Sequence, residues 1–140
     1  MTQEEKQLLL IDLCARLQYG VYIENTFYSP FREVVKVKEQ LTPEHLTILY
    51  NDIYNDENWH SNSFKPYLRP MSSMTEEEKD NLQSLHDIIS NENYGDGYSP
   101  SAWNAITEWE DYCNARHLDY RGLIPMGLAL EAPEDMYKIE

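Results

Sequence analysis

The sequence predicts an α+β fold: an N-terminal helix, a small antiparallel sheet of about three to four strands, then two main C-terminal helices. Three features carry this expectation. Thr2 and Glu5 stand at capping-box spacing ahead of the apolar run Leu8–Ile11. Arg32–Glu39, REVVKVKE, alternates apolar and charged residues with the period of a half-buried strand. Thr75 and Glu78 form a second capping box, which opens a strongly acidic half with helical spacing.

The elements follow in order. The first helix is expected over Gln3–Leu17. Leu9, Leu10, Leu13, Cys14 and Leu17 form its apolar stripe, widened by Leu8 and Ile11, and Gly20 helps to end it. Gly20–Glu24 reads as a strand with Val21 and Ile23 on one face, and Ser29-Pro30 marks a turn. In the next strand Val35 and Val37 face one way, Lys36 and Lys38 the other. Leu41–Asp56 carries two patterns. Thr42-Pro43 is a helix start, and Leu46, Leu49, Tyr50, Ile53 and Tyr54 fit a helical face. Leu46–Tyr50, LTILY, also has strand composition. Asn55–Ser63 is a polar loop with Trp59 and His60.

Lys65 and Arg69 each precede a proline, which disfavours helix and makes Lys65–Pro70 extended. An edge strand suits it, since proline cannot donate to a ladder. Thr75 caps the second main helix, Glu76–Glu78 fill its first turn, and Leu82, Leu85, Ile88 and Ile89 supply its buried face. Asn91–Tyr98 is a glycine-bearing loop. The third helix starts near Ser99-Pro100, with a stripe of Ala102, Ala105, Ile106, Trp109, Tyr112 and Cys113. Asp119–Met126 is expected as a short further helix, and Leu128–Leu130 as a short extended segment. With no internal repeat and no low-complexity linker, residues 1–140 read as a single domain.

Composition narrows the function classes. The chain has 140 residues, 41% of them hydrophobic, with eleven Tyr and three Trp, so it can bury a core and is not disordered in type. The acidic N-terminus and the short apolar run argue against a signal peptide, and no segment approaches membrane-spanning length; a cytoplasmic setting is expected. Two distant cysteines define no disulfide framework. The net charge is −14, and residues 75–115 hold one base against ten acids, a net of −9. Such a field repels nucleic acid and anionic membranes, so neither is an expected partner.

No phosphate loop, dinucleotide fingerprint, nucleophile elbow or zinc-protease motif occurs, and no cofactor is expected. Cys113 and His117, four apart, are weak metal candidates; without further ligands, a buried thiol and a histidine meeting the helix-end carbonyls is the favoured reading. His45, His60 and His86 share no motif, and Cys14 falls in an apolar stripe, where a thiol is inert. Glu108, Glu110 and Asp111 cluster, but alternation with Trp109 and Tyr112 reads as a solvated face. Arg69 and Arg121 are expected to pair with local carboxylates. The binding candidates are therefore Glu76, Glu77, Asp80, Glu108 and Asp111, with Tyr94 and Tyr98 from the loop, since tyrosine is enriched at interfaces.

The blocks KPYLRPMSSMTEEE at Lys65–Glu78 and NARHLDYRGLIPMGLALEAPEDMYK at Asn114–Lys138 resemble a family of small uncharacterised proteins of gut Bacteroidetes, their phages and prophages. LLLIDLCARLQYGV at Leu8–Val21 is similar as well, although many relatives carry Pro where this chain has Gln18. The resemblance implies a bacterial or phage cytosolic protein. It carries over no activity and no functional residues. It also implies strand in the variable middle, and so tips Leu46–Tyr50 toward a strand. The expected function is a non-enzymatic acidic protein-interaction module with an unknown protein partner. The alternative is a small metal-dependent or carboxylate-using enzyme.

Overall fold

The computed structural model describes residues 1–54, 62–91 and 99–137. Among them run α1 (Gln3–Arg16), β1 (Tyr22–Tyr28), β2 (Val34–Gln40), α2 (Pro43–Tyr54), β3 (Ser63–Leu68), α3 (Glu76–Asn91), α4 (Pro100–Ala115) and β4 (Leu130–Glu131). The fold is α+β, with one sheet in the order β2-β1-β3-β4.

Both predicted capping boxes form. The Glu5 N–H donates to Thr2 Oγ1 (3.1 Å) and the Thr2 N–H to Glu5 Oε1 (2.8 Å). At α3 the Glu78 N–H donates to Thr75 Oγ1 (3.2 Å) and the Thr75 N–H to Glu78 Oε1 (2.9 Å). After α1 a 3₁₀ turn, Leu17–Tyr19, ends at Gly20 with φ +70°. A side chain there would be strained, and its Cβ would sit 2.7 Å from Gln40.

β1 pairs antiparallel with β2, Ile23 opposite Glu39 and Phe27 opposite Val35. It also pairs antiparallel with β3, Ile23 opposite Pro66. The sheet is mixed rather than purely antiparallel, because β4 joins β3 in parallel through Tyr67–Leu130 and Leu68–Glu131. β3 is therefore not an edge strand, as its prolines suggested. Leu68 accepts from the Ala132 N–H on the β4 side. Backbone groups alternate sides along a strand, so Pro66 turns its missing donor the same way, ahead of the point where β4 begins.

Residues 43–54 form a helix throughout, which corrects the strand expected at Leu46–Tyr50. A strand would bury alternate residues. Instead His45, Leu49 and Ile53 are buried, each four apart, while Tyr50 and Tyr54 are exposed. Asp119–Met126 also departs from expectation: it consists of turns, with no helix.

α1, α2 and the inner sheet face enclose the main core of Leu9, Leu13, Val21, Ile23, Leu49, Ile53, Phe64 and Leu68, closed by Leu123, Leu128 and Ala129 from the C-terminal segment. A second cluster joins α3 and α4 through Leu82, Cys113 and Leu118, flanked by Trp109, Tyr112 and Tyr120. The C-terminal segment also ties the sheet. Where β1 and β3 diverge, the Tyr137 hydroxyl accepts from the Tyr22 N–H (2.9 Å) and donates to the Tyr67 carbonyl (2.8 Å).

Candidate functional site

Asn81 Nδ2, in the first half of α3, donates to the Tyr112 hydroxyl, near the end of α4 (3.1 Å). Because α4 starts at Pro100, soon after α3 ends at Asn91, this bond makes the two helices run antiparallel, with the start of α3 beside the end of α4. Glu76, Glu77 and Asp80 of α3 and Glu108 and Asp111 of α4 are all exposed; all but Glu108, at the middle of α4, belong to this common end. Asp87 and Glu110 are exposed on the same helices, making seven exposed carboxylates among their described residues. Local cations are few: Lys79 pairs with Glu76 at 3.4 Å, and the Arg116 guanidinium lies over the Tyr112 ring at 4.7 Å. Tyr94 and Tyr98 lie outside the described residues, as do residues 55–61 with Trp59 and His60.

Cys113 and His117 do not form a metal-binding face. α4 ends at Ala115, and His117 adopts a left-handed conformation, φ 60°. Its N–H bonds to the Asn114 carbonyl, and the Leu118 N–H bonds to that of Cys113, so the residue terminates the helix where glycine is usual. The helical spacing that aligns positions four apart is broken there. Burial pushes the Cys113 thiol up to about 12, unfavourable for a thiolate ligand or nucleophile. Burial, then the charges of Arg16 and Arg69, lower His117 to about 4, and its ring stacks on Tyr137 at 3.7 Å. Among the described residues no three His, Cys, Asp or Glu side chains gather as a metal site. Cys14 is exposed rather than part of the buried stripe.

The largest departure from the sequence reading is buried charge. Asp12 and Arg16, one turn apart on α1, are both fully buried. Arg16 Nε donates to Asp12 Oδ2 (2.9 Å), and its Nη2 to the Leu118 carbonyl (2.7 Å). Arg121 Nη1 donates to the other Asp12 oxygen (2.8 Å). A second group centres on Glu78, whose oxygens take a bidentate pair from Arg69 at 2.8 and 2.7 Å. Arg69 also donates to the Arg116 and Ser73 carbonyls. The Arg69 hydrogen bonds, the Thr75 N–H and the Arg69 and Arg116 charges outweigh burial and hold Glu78 down to about 2. Buried Asp119 accepts from the Leu123 and Ile124 N–H groups, fixing the turn after α4. Arg69 thus pairs with a local carboxylate, as expected, whereas Arg121 pairs with Asp12, 109 positions away, and not with a local one. The Asp12–Arg16 pair was missed, although its spacing, set among Leu9 and Leu13, was a readable signal.

These groups brace elements together. A general acid needs a raised carboxyl pKa, and Glu78 moves the other way. A cleft of about 360 Å³ lies between Arg69–Ser73 and Glu131–Tyr137, but the Arg69 guanidinium on its wall is already engaged. His45 approaches Glu39 through Nε2, while its Nδ1 accepts from the Thr42 N–H (3.0 Å), the position a capping-box glutamate usually takes. His86 is exposed on α3. Among the described residues no helix is long and apolar enough to cross a membrane. No family model, curated protein or solved structure matches the chain.

Proposed function

We propose that the chain is a non-enzymatic acidic protein-interaction module, whose contact surface is the α3–α4 pair. The observation that carries this reading is the set of seven exposed carboxylates on two packed antiparallel helices. Its partner is a protein with a cationic surface, because an excess of one sign steers and selects the opposite sign. One form of this activity is imitation of nucleic acid, with carboxylates standing where phosphates would be. The resemblance to phage and prophage proteins supplies a setting, a phage-borne modulator of a host protein in the cytoplasm.

The enzyme alternative has less support. Its thiol is buried, its histidine closes a helix, and the strongly shifted carboxyl among the described residues is held ionised by arginine. The test is capture from bacterial lysate at low and high salt, with the wild type and with E76Q/E77Q/D80N/E108Q/D111N. A partner held at low salt, released at high salt and lost with the neutralised variant is the expected result. Absence of any salt-sensitive partner counts against the proposal.

A further inference from the structure

The cations of this acidic protein are divided in their use. Arg16, Arg69 and Arg121 are consumed by Asp12 and Glu78, Arg116 lies 3.8 Å from Glu78, and Lys6 pairs with Asp52. The open face of the sheet keeps another set. Lys38 of β2 and Lys65 of β3 flank Glu24 of β1 in one cross-strand row, with Lys36 two residues from Lys38 on the same face. Lys36 reaches Glu24 only at 4.0 Å, with its side chain 64% exposed. Among the described residues no ion pair joins these lysines to the carboxylates of α3 and α4. Tyr22 and Tyr28, at alternating positions on this face, are also exposed. Among the described residues α1 and α2 cover the opposite face, and this one is open apart from the Tyr137 ring beside Tyr22, ring centroids 6.0 Å apart.

We propose that this lysine and tyrosine face is a docking surface for the α3–α4 pair of a second copy of the chain, in a head-to-tail contact. Charge complementarity is the first support: three lysines against one glutamate on the sheet, seven exposed carboxylates against few cations on the helices. Dimensions are the second. A 16-residue helix and a seven-residue strand are each about 23–24 Å long. Two packed helices stand about 8–10 Å apart, and three adjacent strands span about 10 Å. The helical pair therefore matches the strands in length and width, as helices do when they layer on a sheet. The contact is heterologous, using different surfaces on each copy, so it extends to rings or short chains rather than a closed two-fold dimer. It is weak, because two bodies of charge −14 repel at long range.

The inference rests on the proposed use of α3–α4 as a contact surface, but its test is separate from capture of a foreign protein. Sedimentation velocity follows the wild type from dilute solution to about 1 mM in about 0.15 M salt, where the Debye length is about 8 Å and long-range repulsion is damped. The mean sedimentation coefficient is expected to rise with concentration. K38E/K65E, with a spoiled sheet face, and E108K/D111K, with a spoiled helical face, are each expected to stay monomeric. Circular dichroism checks that both are folded. Mixed in equal amounts, they associate again, since each keeps one intact face that fits the intact face of the other. A monomeric wild type at every concentration overturns the inference, as does continued association of either variant alone or a mixture that stays monomeric. None of these results touches the lysate experiment, because K38E/K65E keeps the acidic surface intact.

Discussion

At the scale of single residues, the decisive groups are charged side chains that the fold has taken out of water. Glu78 caps α3 and clamps Arg69 at once, so its loss removes a helix cap and strands a buried guanidinium. Glu78→Gln should cost about 3–5 kcal/mol in urea unfolding, far more than the roughly 1 kcal/mol of an ordinary cap loss. Its depressed pKa also sets a pH dependence. The carboxylate's contribution is complete above the unfolded value of 4.5 and is lost as pH falls toward about 2. His117 acts in the same direction over a higher window. Its folded value near 4 lies below 6.5, so the unfolded chain binds the extra proton in between. Stability should therefore fall by about 3 kcal/mol from pH 6.5 to 4. His117→Asn, which tolerates the left-handed backbone, should flatten that slope; an unchanged slope would show that the histidine is not the group responsible.

At the scale of elements, strong local signals were legible and ambiguous ones were not. Both capping boxes, the β2 alternation and the Ser99-Pro100 start of α4 appear where their residue types require them. At Leu46–Tyr50 the residues carry both a strand composition and a helical spacing, and the family resemblance tips the reading to strand; the burial of His45, Leu49 and Ile53 follows the helix instead. The helix makes a sharp distinction between neighbours. Leu49→Ala should destabilise by about 2–5 kcal/mol, whereas exposed Tyr50→Ala should stay within about 0.5 kcal/mol. Comparable losses at both positions would contradict the helix. The edge position expected for Lys65–Pro70 failed for a different reason: a two-residue parallel strand from the far end of the chain, β4, carries no pattern of its own.

At the scale of the whole molecule, charge segregation was legible as a count along the chain but not as geometry. Ten acids against one base over residues 75–115 located the acidic half. That Glu78 faces inward while Glu76, Glu77, Asp80, Glu108 and Asp111 face solvent depended on where Arg69 sits, a tertiary fact. The buried pairs were hidden for the same reason, since Arg121 meets Asp12 across 109 positions of sequence. This separation makes the two charge populations independent in solution. Salt up to about 1 M, where the Debye length is about 3 Å, should abolish attraction between exposed faces. It should leave the buried Asp12–Arg16–Arg121 group intact, readable as unchanged amide-exchange protection in α1.

The bond from Arg16 to the Leu118 carbonyl also imposes an order of events. During synthesis α1 emerges before α4, with its cap and apolar stripe ready, but the Arg16 guanidinium lacks its distant acceptor until 102 further residues have followed. An N-terminal helix docked early would bury a cation with that bond unmade, which is costly. The helix can form at the start, yet its final seating must wait for the segment after α4. α1 is thus made well before α4 but locks only with the segment that follows it.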